Sequence, residues 1–186
     1  MQKIPTLFVR DEQDRRYVTS DVTPGCEWVL AGEGQATRKY DGTCVMLDAD
    51  GAWWARREVK SGKIPPPSFV TAEYDATTGK TVGWEPIAQS AFAKYHAEAL
   101  GGPAGAPTKP GTYELVGPKV NGNPERRIQH DLLKHEYAER LPDVKRSFAA
   151  LRAAVLAWHE GLGSEGIVFH HPDGRMDKIK ARDFRA

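Results

Sequence analysis

Residues 36 to 44 read ATRKYDGTC, with a lysine two places before an Asp-Gly pair. Asp41-Gly42 alone would mark a turn between strand-like runs, because both residue types tolerate the backbone angles of tight turns. Lys39 is then either a surface charge beside that turn or a nucleophile, a role open to an amine that has lost its proton. Three further stretches set charges inside apolar, strand-like patterns: YELVG with Glu114, SEGIVF with Glu165, and DKIKARD with Lys178 and Lys180. Singly, each has an ordinary explanation. Glu114 suits an edge strand guarded by charge, Glu165 suits a strand start, and Lys178 and Lys180 alternate around Ile179 as on any strand with one wet face. All of them in this order are harder to explain that way.

Together, Lys39-Tyr40-Asp41-Gly42, Glu114, Glu165-Gly166 and Lys178-Ile179-Lys180 resemble motifs I, III, IV and V of the covalent nucleotidyltransferase superfamily of polynucleotide ligases and capping enzymes. The resemblance is closer to the ATP-dependent RNA ligases related to the vertebrate 5′–3′ RNA ligase. It rests on KYDGTC at 39–44, WAR at 54–56, ELVG at 114–117 with NGNP at 121–124, and EGIVF followed by DGRMDKIK. It covers most of the chain. NGNP is its most specific part, since the wider superfamily does not require it.

The resemblance implies an RNA ligase that joins 5′-phosphate and 3′-hydroxyl ends through a lysyl-AMP and then an adenylylated RNA 5′ end. ATP and Mg2+ are the implied cofactors, with Mn2+ as a substitute, and RNA repair is the implied setting. Carried over by motif, Lys39 is the nucleophile, and Arg56 and Glu114 hold the ribose hydroxyls. Glu165 holds the lysine amine or a metal-bound water, and Lys178 and Lys180 grip the α-phosphate. The purine would lie between an aromatic ring, Trp84 or Tyr113, and an aliphatic wall near Ile167, with Gly42 letting the backbone approach the nucleotide. The chemistry is consistent: a lysine amine, ordinarily of pKa about 10.4, needs nearby cations or burial to be neutral, and Arg56, Lys178 and Lys180 are candidates. Mg2+ binds largely through phosphates and waters, so one carboxylate, Glu165, would suffice. The alternatives are a self- or substrate-adenylyltransferase that seals no strand, a noncatalytic RNA-binding module, and a capping-type guanylyltransferase. Sealing assays and a comparison of ATP with GTP separate them.

The elements that must position these residues read as α+β with mostly antiparallel sheet, which the resemblance casts as a nucleotidyltransferase (ATP-grasp-like) domain with flanking helices. Strands are expected over 4–10, 27–30, 43–48, 52–59, 68–74, 112–120, 165–171 and 175–184, the last two as a hairpin. Asp50-Gly51 suggests a type I′ turn. Helices are expected over 86–100 and 143–160, the second from the apolar stripe Val144, Phe148, Leu151, Val155 and Trp158. A chain of 186 residues with 40% hydrophobic content suits one domain spanning 1–186. With six residues after Lys180, no C-terminal oligonucleotide-binding-fold domain is expected. A net charge of +1 excludes a globally basic nucleic-acid binder. Local contact with RNA phosphates is therefore expected from Lys119, Arg126 and Arg127. Arg10, Arg15 and Arg16 read as a solvated turn, and His130, His135, His170 and His171 as structural or surface residues. Two cysteines, no signal-peptide pattern and no bilayer-length apolar run lead to the expectation of a cytoplasmic monomer.

Overall fold

A computed structural model describes residues 3–185. In chain order, strands β1 (Phe8–Arg10) and β2 (Val18–Val22) precede a single-turn helix α1 (Glu27–Leu30) and strand β3 (Gln35–Lys39). Then follow β4 (Thr43–Leu47), β5 (Trp53–Val59), β6 (Val70–Asp75), β7 (Lys80–Pro86), helix α2 (Ala93–Leu100), β8 (Gly111–Val116) and β9 (Asp131–Lys134). Helix α3 (Phe148–Leu162) and strands β10 (Gly166–His170) and β11 (Met176–Lys180) complete the order. Every strand pair is antiparallel, and helices are few, so the class is α+β with antiparallel sheet. Among the described residues no helix is long and apolar enough to cross a membrane.

The chain forms two compact units: Asp41–Tyr137 with Lys3, and Ile4–Tyr40 with 138–185. The first is a six-stranded sheet of order β6-β7-β5-β4-β8-β9. Alternation along its strands turns Val45, Leu47, Trp53, Tyr113, Leu115 and Leu132 to one face, where they pack with Phe92, Tyr95 and Ala99 of the α2 region. The second unit holds the sheet β11-β10-β3 and the ribbon β1-β2. Its core gathers Leu7, Phe8, Val29, Ala36, Ile167, Phe169 and Ile179 against Leu151 and Val155 of α3.

The apolar stripe of α3 packs as its spacing demands, although the helix begins at Phe148, where the Ser147 side chain caps it, and Val144 reaches the core from outside it. The hairpin β10–β11 forms in register, Gly166 opposite Lys180 and His170 opposite Met176. Three expectations are corrected. EWVL is helical rather than extended: Val29 and Gly32 close backbone bonds to Cys26 and Val29, and a four-residue apolar run carries too little periodicity to tell strand from buried helix. The expected helix from 86 splits into a 3-10 turn at Ile87–Gln89 and α2, because Ser90 is extended. The β4–β5 turn has positive φ at Gly51 alone, and Asp48 caps it through the N–H groups of Asp50 and Ala52, so it is not type I′.

Candidate functional site

In the unit that carries Lys39, three neighbouring strands end in one row. Lys39, the last residue of β3, lies opposite Gly166, the first of β10, which lies opposite Lys180, the last of β11. Glu165, one residue before that row, is fastened on both sides: its N–H donates to the Lys39 carbonyl at 3.2 Å, and its carbonyl accepts from Ala181 at 3.0 Å. Its carboxylate sits between the two amines. Lys39 Nζ is 2.5 Å from Oε2, Lys180 Nζ pairs with Oε1, and Arg182 stands 3.9 Å from the same oxygen. The side chains are largely enclosed, at 19%, 11% and 14% exposure for Lys39, Glu165 and Lys180.

Charge is therefore unbalanced in a half-dry place, with two ammonium groups to one carboxylate. Burial opposes ionisation of Glu165, yet Lys39 and Lys180 outweigh it and hold the carboxyl below its usual pKa. Burial pushes the Lys180 pKa down. Attraction to Glu165 opposes that, and repulsion from Lys39 adds to it. Lys178 shares the face of Lys39 and Lys180 by alternation, in the row Lys178, Val168, Thr37. Ile167, expected beside the purine, is instead fully enclosed in the core; it points away from the lysines, and Val168 is the β10 residue on their side.

The other unit groups a second set. Across β7, β5, β4 and β8 the register sets Trp84 opposite Arg56 and Cys44 opposite Glu114; the β4–β5 pairing, carried one residue further, sets Arg56 opposite Cys44. Arg56 and Glu114 thus share one sheet face, away from the apolar core. That parity separates the two rings proposed for stacking. Tyr113 is on the core face, 3% exposed and 5.4 Å from the Trp53 ring, so it has no free face for a base. Trp84 is on the Arg56 face and is itself buried.

Two contacts of this set escaped sequence reasoning, although it named both His135, as a structural or surface residue, and the NGNP loop. His135 Nε2 lies 2.9 Å from Glu114 Oε2, and its Nδ1 lies 2.9 Å from Thr112 Oγ1. The signal was a positional one: with β8 and β9 paired, His135 falls opposite Thr112 on the Glu114 face. The second is the NGNP loop, which clamps Asp41-Gly42. Asn121 Nδ2 donates to Asp41 Oδ1 at 3.1 Å and to the Gly42 carbonyl at 2.7 Å, and Glu125 accepts from the Asp41 N–H at 2.9 Å. Gly42 is needed for a nearer neighbour than a nucleotide: a Cβ there would strike the Leu115 carbonyl oxygen and crowd Glu114, whose Oε1 accepts from the Gly42 N–H at 3.0 Å.

The remaining candidates fall out simply. His130 is buried, 2.8 Å from Glu98 and stacked on Tyr95, a structural position. Arg16 pairs with Asp14 in an exposed turn, while Arg10 holds the buried Asp183 at 2.7 Å. Lys119 and Arg126 are exposed, and Arg127 stands 3.7 Å from Asp131. At this level the fold and side chains define an antiparallel α+β protein with a partly buried two-lysine, one-carboxylate cluster. No protein-family model matches the chain, and no curated protein matches it.

Proposed function

We propose that the protein is an ATP-dependent RNA ligase that works through a lysyl-AMP, in a nucleotidyltransferase fold acting in the cytoplasm. The observation that carries this reading is the Lys39–Glu165–Lys180 cluster at the shared end of three strands. An isolated surface lysine beside a turn would be solvated and mobile. This one is enclosed and held at its tip by a carboxylate, which also pairs with a second lysine.

In the proposed first step the neutral Lys39 Nζ attacks the α-phosphorus of ATP. A nitrogen–phosphorus bond forms, the bond to the bridging oxygen breaks, and pyrophosphate leaves with that electron pair. Lys39 must first give a proton to solvent, which burial and Lys180 favour and Glu165 opposes, and the nitrogen releases its second proton to solvent as the phosphoramidate forms. Lys180 is the cation positioned to meet charge growing on the phosphate. Glu165 holds the amine in place. Mg2+, bound through the phosphates, would supply further charge neutralisation. The RNA 5′-phosphate then attacks the same phosphorus and frees Lys39, and the 3′-hydroxyl finally displaces AMP to close the phosphodiester. Arg56 and Glu114 are assigned to the ribose on the resemblance alone.

The test is intact mass after incubation with ATP and Mg2+, for the wild type and Lys39→Ala. The expected result is a gain of about 329 Da, one adenylyl group, in the wild type only. An equal gain in the mutant would sink the nucleophile assignment. Adduct without sealing of a nicked RNA would reduce the reading to adenylyl transfer.

A further inference from the structure

On the face of the six-stranded sheet turned away from its core, Cys44 Sγ, a carboxylate oxygen of Glu114 and a ring nitrogen of His135 all lie within 4.8 Å of one another. They come from separate places in the chain. Cys44 on β4 is directly opposite Glu114 on β8, and His135 follows the last residue of β9. Two of the three are fastened from behind. The Gly42 N–H holds Oε1 of Glu114 at 3.0 Å and leaves Oε2 toward the cluster. Thr112 Oγ1 holds Nδ1 of His135 at 2.9 Å and leaves Nε2 toward the same point. Outer support of this kind orients the ring of a ligating histidine; the Thr112 hydroxyl can accept from Nδ1 in the tautomer whose Nε2 is free to bind a metal.

We propose that Cys44, Glu114 and His135 form a binding site for a borderline-soft divalent cation, Zn2+ foremost. A thiolate, an imidazole and a carboxylate suit Zn2+ and are a poor set for Mg2+, which favours oxygen ligands and keeps its waters. The geometry is close to what the ion needs. Nε2 and Oε2 are 2.9 Å apart, a hydrogen-bond spacing, and would spread by about half an ångström to flank a tetrahedral ion bonded at about 2.0–2.2 Å. The thiol, within 4.8 Å of the other two donors, must close on the ion to a bond of about 2.3 Å. Glu114 is buried while Cys44 and His135 are half-buried, which leaves a route for the ion to enter. Three protein donors leave a tetrahedral ion one position for water or a small ligand. Without metal the same contacts form a plain hydrogen-bond chain, Thr112 to His135 to Glu114, and the experiment must separate the two states. The site does not depend on the adenylylation reading. Only the consequence does: if Glu114 serves the ribose, the ion competes with the nucleotide.

The test uses the full chain, stripped with chelator, and needs no ATP, so its failure is distinct from a missing AMP adduct. Co2+ is titrated as a spectroscopic probe and Zn2+ is titrated against a chromophoric chelator. One equivalent of each is expected to bind, with a thiolate-to-cobalt charge-transfer band in the near ultraviolet. Cys44→Ser should abolish the band, His135→Asn should weaken binding more than about tenfold, and Thr112→Val should weaken it by about 10- to 100-fold. Cys26→Ser should keep the band, since that thiol is 2% exposed. Circular dichroism checks that each variant folds. If Cys44→Ser does not fold, protection of Cys44 in the wild type from alkylation by Zn2+ gives the same answer. No band, a band that survives Cys44→Ser, or alkylation unaffected by Zn2+ would overturn the proposal and leave the hydrogen-bond chain.

Discussion

Glu165 is asked to satisfy two cations at once, and its neighbours respond differently when a partner is removed. Glu165→Gln leaves two largely enclosed ammonium groups facing each other, and loss of one partner of a buried ion pair costs about 3–5 kcal/mol, an upper bound for this partly buried cluster. Denaturant titration at neutral pH should find that loss. It should also depend on pH with a definite sign. Because the folded carboxyl is held below its ordinary value of 4.5, its contribution is complete above that value and fades as pH falls through the folded value. The gap between wild type and Glu165→Gln should therefore narrow below 4.5; a gap that is constant with pH would mean Glu165 is not ionised in the fold. Lys180→Met removes the excess cation and relieves repulsion with Lys39, so its stability should stay within about 1 kcal/mol of wild type. Adenylyl transfer should nevertheless fall by roughly 100-fold or more, as when a positioned charge is taken from a developing oxyanion. A Lys180→Met protein with normal transfer would remove that residue from the chemistry.

At the scale of elements, the loop at 121–124 sets the backbone that follows Tyr40. Asn121 adopts φ +48, a conformation Asn and Gly tolerate better than Ala, and it also donates two hydrogen bonds to Asp41 and Gly42. Asn121→Gly should lose only the hydrogen bonds, about 1–2 kcal/mol. Asn121→Ala should lose a further ~1 kcal/mol through backbone strain. Equal stabilities for the two variants, read from denaturation midpoints, would show that the strain is not there. This loop illustrates what could be read in advance. The charged stretches, the α3 stripe and the β10–β11 hairpin were visible because period and turn chemistry are local. The length of EWVL made its helix invisible. Which residues share a face depends on strand order and register: Glu114 with His135, and Tyr113 on the core side, follow from pairings between distant segments, and Asn121 meets Asp41 through a contact between distant loops. The side-chain pattern of one strand gives its alternation but not its neighbour.

For the whole molecule, a net charge of +1 supplies no overall attraction for a polyanion, and acidic and basic residues are nearly balanced in each of the two compact units. If RNA is the partner, the grip must come from few side chains, with exposed Lys119 and Arg126 and the part-buried Arg127 as the candidates around NGNP. Each neutralised phosphate of a single strand contributes a slope of about −0.7 to the dependence of log affinity on log salt. Three such contacts give a slope of about −2, so RNA binding should weaken only modestly between low and physiological salt. Titration of a 5′-phosphorylated RNA across a salt series measures this directly. Loss of Lys119 or Arg126 should make the slope shallower by about one phosphate each, with little change in the AMP adduct. A slope much steeper than about −5 would require phosphate contacts well beyond Lys119, Arg126 and Arg127. Undetectable binding at low salt, with the AMP adduct intact, would instead mean that the acceptor of the adenylyl group is not RNA alone, and would move the protein into the class of adenylyltransferases.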